Sequence, residues 1–450
     1  MLSCTKKVLH NGLRLVSVEM PHLHSAEIAI YIKAGGRNDT PGKSGISHFL
    51  EHMLFRGSSE FASNLELEIA FEAIGGSVNA ATDEETTCYF SRVHPDQIGE
   101  GVRLFSSMLL SPTLEGLEIE KRIITEEALE DINERGDETN TSNLCSKLLW
   151  PDHPLGMPTI GYLDTIKGFT EEDLRGYLAD FYVPGNALIV AAGKHDPERF
   201  FAACEKSFAG WSGPKPPAPI VADASQDQPR SVFVKDSDSQ VNLQIAFRGF
   251  ARQDQRIMGL RLMRRILCGG GSSRLHLSLR EKLGIVYSVD ASLSAYEETG
   301  AFAIELATAP ENLLLAVSEV LREVKSLAFE DVGAAELARV KDGYFYDLEY
   351  SSDSTYEMQV RYGWGELMTL VRTIEEDRAE AAAIGAAEIR ESARALFDPR
   401  NLNLAAVGPW KAGSKRAVEK LIKEYQKGWK ALRPERPFKA QSSTLDPRTT

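Results

Sequence analysis

One succession of secondary-structure signals runs twice along the chain, so any fold must hold two copies of it. In the first copy a tight-turn dipeptide, Asn11-Gly12, divides a strand pair at 7–19, and a strand at 26–32 runs into Gly35-Gly36. Ser44-Gly45 then opens a helix with an apolar side of Ile46, Phe49, Leu50, Met53, Leu54 and Phe55, and a second helix covers 65–74. Strands at 77–82 and 86–93 flank the acidic turn Asp83-Glu84-Glu85. Long helices at 95–110 and 116–134, a Pro/Gly loop at 151–158, a helix at 170–180 and a short buried strand at 187–193 complete the copy. Pro214, Pro216, Pro217 and Pro219, followed by Asp, Ser and Gln, then read as a linker. Beyond it come strands 231–235 and 241–247, helices 253–268 and 273–283, strands 286–296 and 300–308, long helices, and a closing strand 402–408. The copies match in pattern more than in identity. The expected class is α+β: two similar α/β units, each a mainly antiparallel sheet packed with helices. The boundaries are 1–212, a linker at 213–230, 231–433 and a solvated tail at 434–450.

A chain of 450 residues is too long for one core, which agrees with two units. Its formal charge of −14 disfavours nucleic acid or an anionic membrane as the main partner and suits cationic peptides. Five scattered cysteines, none in a C-x-x-C pair, point to free thiols in a reducing compartment. The N-terminus has no apolar segment behind its charges, and no uninterrupted apolar run of about 18 residues follows. The expectation is a cytoplasmic protein without a membrane span.

The chemistry concentrates in His48-Phe49-Leu50-Glu51-His52. On a helix His48 and His52 stand one turn apart on one face with Glu51 beside them. Two imidazoles so spaced can grip a zinc ion, and the carboxylate can take a proton from a water that the ion activates. Such a site needs a third ligand from another element, and Glu126, Glu127 and Glu130 in the 116–134 helix are candidates. Spacing alone does not choose among them, and an acidic run is also what a solvated helix face looks like. Mn or Co would suit the same donor set.

His48-x-x-Glu51-His52, then 74 residues, then Glu127 in the context Arg122-Ile123-Ile124-Thr125-Glu126-Glu127, resembles the pitrilysin, insulysin and mitochondrial processing peptidase family of inverzincin peptidases. The resemblance runs from about residue 8 to 410. It implies that His48, His52 and Glu127 bind zinc, that Glu51 is the general base, and that Glu120, seven residues before Glu127, supports the site. It also likens 75–80 to an edge strand that pairs with substrate backbone, with Asn79 and Ala80 touching the peptide.

In the second unit Gly269-Gly270-Gly271 precedes a helix, but no Lys-Ser/Thr follows, which argues against a phosphate loop. The resemblance instead assigns Arg280 and Tyr287, seven apart, to substrate contact at the distant site. Long relatives carry four such units on one chain; two units here imply that two chains, identical or related, enclose a chamber. The implied activity is zinc-dependent endopeptidase action on extended peptides or unfolded and leader segments. A non-catalytic, substrate-holding subunit is the alternative.

Overall fold

Two strands, Ala26–Ile32, apolar except for buried Glu27, and the wholly apolar Ala187–Gly193, are buried on both faces and form the centre of the first sheet. The fold is described from a computed structural model covering residues 3–223 and 225–432, so the tail expected at 434–450 lies outside the described residues. The first sheet contains β1 (Ser3–Val8), β2 (Arg14–Glu19), β3 (Ala26–Ile32), β4 (Asn79–Thr82), β5 (Thr87–Val93) and β6 (Ala187–Gly193), in the order β1-β2-β6-β3-β5-β4. The second contains β7 (Arg230–Lys235), β8 (Val241–Gly249), β9 (Val286–Ala295), β10 (Gly300–Thr308) and β11 (Leu402–Gly408), ordered β7-β11-β8-β10-β9. Without β1 the two orders are the same. In each, one pair is parallel, β2 with β6 and β7 with β11, and the other pairs are antiparallel. The molecule is therefore α+β, with two mainly antiparallel sheets, and the repeated order of signals is a repeated topology.

Amphipathic helices cover one face of each sheet. In the first half these include α1 (Ile46–Leu54), α2 (Asn64–Ala73), α3 (Ile98–Leu110) and α4 (Leu117–Leu129). Phe49, Leu50, Met53 and Leu54 of α1 and Val102, Phe105 and Met108 of α3 join Ile28, Ile30 and Ile32 of β3 in one core. The chain continues through α5 (Thr141–Leu149), α6 (Leu163–Gly168), α7 (Glu171–Phe181) and α8 (Pro197–Phe208). The second half repeats the scheme with α9 (Ile257–Cys268), a π-helix at His276–Lys282, α10 (Leu313–Phe329), α11 (Ala334–Ser351) and the short α12 (Thr355–Gln359). Helices at Ile374–Ala383, Ala386–Leu396 and Ala412–Leu432 follow.

The opposite face of each sheet is covered by the other half. Leu144, Cys145, Leu149 and Trp150, in and just after α5, pack on Ala246, Ala303, Ala405 and Val407 of the second sheet. Reciprocally, Met358, Tyr362, Leu367 and Met368 pack on Val16, Ala29, Tyr31 and Val190 of the first. The approach is close: a Cβ on Gly363 would come 2.5 Å from Val190 Cγ1. Tyr31 Oη donates to Gln359 Oε1 at 2.7 Å across this seam.

The described residues between Trp211 and β7 form no helix or strand, yet they are held. Arg37 Nη2 donates to the Ile220 carbonyl at 3.0 Å, and the Ala222 N–H donates to Glu298 at 2.7 Å. Buried Arg37 and Arg252 both pair with buried Glu85. The acidic turn after β4 is thereby tied to the second half. The helix expected over 116–134 stops at Leu129, because Asn133 Oδ1 accepts the N–H groups of Arg135 and Asp137 and turns the chain. The segment expected as a helix at 273–283 is the π-helix, and α5, α6 and α8 have no counterpart among the sequence expectations. All five cysteines are free.

Candidate metal centre

Packing fixes the direction in which α1 presents its polar side. With Phe49, Leu50, Met53 and Leu54 fully buried against the sheet, His48, Glu51 and His52 turn toward α4. The start of α1 is equally constrained. Gly45 has φ +89°, and a Cβ there would lie 2.3 Å from the Ile160 carbonyl, so two backbones pass in contact. Asp39 Oδ2 accepts the Gly45 N–H at 2.7 Å and the Ser47 hydroxyl at 3.3 Å, closing the helix N-terminus. Burial pushes the Asp39 carboxyl up to about 8 against the pull of these donors.

On α4, Ile124 and Ala128 face the core. Glu120 and Glu127, two turns apart, reach toward α1. His48 Nε2 lies 3.8 Å and His52 Nε2 3.7 Å from the Glu127 carboxylate, and the two imidazole centroids are 4.6 Å apart. Buried Glu120 approaches His52 Nδ1 at 3.3 Å and is itself 3.4 Å from Arg56. One donor atom from each of His48, His52 and Glu127 lies within 4.8 Å of the others, the one such group found among the described residues. Of the three glutamates that spacing left open, Glu127 is the one in this group; Glu126 and Glu130 are exposed outside it.

These distances suit a tetrahedral ion, whose ligand–ligand edges are about 3.4 Å when its bonds are about 2.1 Å. The electrostatics of these side chains follow from their burial and from one another. Burial, helped by the charge of His52, holds His48 down to about 3, so the ring is neutral and able to ligate. Burial also pulls His52 down, but the Glu120 hydrogen bond and the charges of Glu51, Glu120 and Glu127 outweigh it and raise it. Glu51 and Glu127 are both raised, first by burial. Glu120 fixes the tautomer of His52, whereas His48 Nδ1 is buried without a hydrogen-bond partner and packing alone orients that ring.

Sequence reasoning overlooked one residue of this site, Thr82. Its hydroxyl donates to Glu51 Oε2 at 2.5 Å from the last position of β4, the edge strand. In the folded strand Ala80 and Thr82 are half-buried between exposed Asn79 and Ala81, an alternation that the sequence Asn79-Ala80-Ala81-Thr82 does not itself display. The exposed Asn79 side chain bonds locally to Ser77. In the second half Arg280 stacks over the Tyr287 ring at 5.3 Å, and Tyr287 is 82% exposed on β9. Among the described residues no hydrogen bond, ion pair or ring contact joins this pair to His48, His52 or Glu127. Nor is any described helix long and apolar enough to cross a membrane.

Comparison with known proteins supplies the relationship. Residues 14–161 match the family model described as Insulinase (Peptidase family M16), and 168–344 match the model described as Peptidase M16 inactive domain. The uncharacterized zinc protease YmxG of Bacillus subtilis is 30% identical over 403 residues, covering 89% of this chain and 97% of its own. A Helicobacter pylori protease of solved structure has a TM-score of 0.85 at 20% identity, covering 91% of this chain and 100% of that one. The periplasmic protease PqqL of Escherichia coli has a TM-score of 0.76 at 18% identity, covering 94% of this chain but 50% of that one. With both halves matched in order and YmxG covered almost end to end, the chain belongs to the M16 peptidase family, among relatives named zinc proteases.

Proposed function

We propose that the protein is a zinc-dependent endopeptidase that cuts extended peptides or unfolded and leader segments inside a chamber formed by two chains. The observation that carries this reading is the convergence of the His48, His52 and Glu127 donors beside Glu51, which Thr82 holds against an edge strand. His48, His52 and Glu127 would hold the ion, with Glu120 steadying His52. Zinc bound there would make a water acidic and polarise the scissile carbonyl. Glu51 receives the proton of the attacking water and passes it to the leaving amine nitrogen. With Oε2 occupied by the Thr82 hydroxyl, Oε1 is the atom free for that proton.

Substrate selection follows from the edge. β4 hydrogen-bonds to β5 on one side, so its other side can take an extended peptide through main-chain bonds, with Asn79 and Ala80 beside it. Such pairing is indifferent to most side chains and requires an unfolded segment. Arg280 and Tyr287 are exposed, and among the described residues no hydrogen bond, ion pair or ring contact joins them to the first-half site, which supports their donation to a partner chain. That PqqL is twice as long as the part matched here is consistent with two chains doing the work of one. Free, scattered cysteines favour a reducing, cytoplasmic compartment.

The test is Glu51→Gln. Peptide hydrolysis should fall by about 10²–10⁴-fold while zinc content stays at the wild-type level; wild-type turnover in that variant would remove Glu51 as the base. Light scattering should give a dimer, and an active monomer would refute the shared chamber.

A further inference from the structure

The second half contains a structural counterpart of the metal centre. α1 buries Phe49-Leu50 and Met53-Leu54; α9, at the same place in the repeated topology, buries Leu262-Met263 and Ile266-Leu267. This common register puts Arg261, Arg264 and Arg265 where the first half has His48, Glu51 and His52. The facing helices correspond as well. Ile124 and Ala128 of α4 match Tyr344 and Leu348 of α11, which sets Asp347 in the place of Glu127. Arg265 is ion-paired to Asp347, as His52 faces Glu127. A cation-ligating constellation in one half is a guanidinium cluster in the other.

A cavity of about 500 Å³ opens at this position, within the range of small-ligand sites. Five arginines and three carboxylates line it, a positive excess in a chain of net charge −14. The pairing within that count is uneven, and the lining carboxylate Glu357 has no ion pair among the described residues. Asp377, buried at the cavity wall, is shared by Arg361 at 2.7 Å, Arg372 at 2.6 Å and Arg261 at 3.6 Å. Arg372 also reaches Glu380, and Arg265 is occupied by Asp347. Arg261 is thus beyond hydrogen-bond distance of its acid. Arg264 is exposed with no hydrogen-bond or ion-pair partner among the described residues. Arg261, which hydrogen-bonds the Tyr344 hydroxyl, and Arg264 are three apart on one helix face, and both line the cavity.

We propose that this cavity is an oxyanion site, binding a carboxylate or phosphate group between Arg261 and Arg264. Planar guanidinium donors suit either group, and the apolar and aromatic wall, including Trp364, would accommodate the organic part of a ligand. The site requires no metal and is independent of the peptidase reading.

The experiment is isothermal titration of the metal-loaded full chain at constant ionic strength. The probes are inorganic phosphate and an acetylated dipeptide with either a free C-terminal carboxylate or an amide. The expected result is saturable binding, weakened at least about tenfold by Arg264→Gln and by Arg261→Gln. Arg264 has no partner to lose, so its substitution leaves the fold intact. Binding of phosphate alone would identify a free anion as the occupant, and binding of the carboxylate but not the amide a peptide terminus; either result supports the site. No saturable binding by any probe would overturn it. So would binding that is unchanged in both variants, or that disappears with the metal while the arginines are intact.

Discussion

In the first half α1 turns His48, Glu51 and His52 toward the carboxylates of α4; in the second, α9 turns Arg261, Arg264 and Arg265 toward α11. The buried pairs Phe49-Leu50 and Met53-Leu54 of α1 correspond to Leu262-Met263 and Ile266-Leu267 of α9, and the sheets beneath them share one strand order. The difference in chemistry lies on the polar faces. Core packing sets where a helix sits and which way it turns, and it places few demands on the chemistry of the side left open. One scaffold therefore presents a face of imidazoles and carboxylates in one half and a face of guanidinium groups in the other, and the halves are equivalent in architecture without being equivalent in surface chemistry.

The seam between the halves is the largest stability effect by which this equivalence can be broken. Met358 is fully buried on the first sheet, and Leu149 makes the reciprocal contact on the second. Met358→Ala and Leu149→Ala should each cost about 2–5 kcal/mol in urea unfolding, within one cooperative transition. Two separate transitions would show that the halves are not mutually supporting.

Within the first half, Glu120→Gln should weaken zinc binding by about 10–100-fold in competition with a chelator, because His52 loses its orienting carboxylate. The same measurement on Asp347→Asn, the counterpart of Glu127 in position only, should show no change. A smaller effect is expected at Thr82. Thr82→Val should lower kcat about tenfold with KM unchanged, and Thr82→Ser should restore it. Equal losses in both variants would reduce Thr82 to a packing residue.

The sequence carried the fold well where periodicity was strong. The apolar run of β3, the alternation of β5 and the spacing of Phe49, Leu50, Met53 and Leu54 each led to the right element. It carried the reciprocal arms poorly. α5 and α12 are short, and their apolar residues are buried by strands of the other half, which no local pattern announces. The early end of α4 depends on Asn133 side-chain bonds that compete with the helix.

The site was legible to a similar degree. His48, Glu51 and His52 stand in one pentapeptide, but Glu127 is one of three nearby glutamates, and the tertiary distance separates it from Glu126 and Glu130. Thr82 reads as an ordinary strand threonine until the fold brings it to Glu51. Likewise, the arginines of α9 look like a solvated helix face until the register of the two halves is compared.

The central claim is that metal chemistry belongs to the first half alone, and metal stoichiometry tests it most directly. The purified chain, equilibrated with zinc and desalted, should contain one ion per chain by elemental analysis. His48→Ala/His52→Ala should contain none, while Arg261→Gln and Asp347→Asn remain at one. A second ion per chain, or an ion retained after both histidines are removed, would contradict the account.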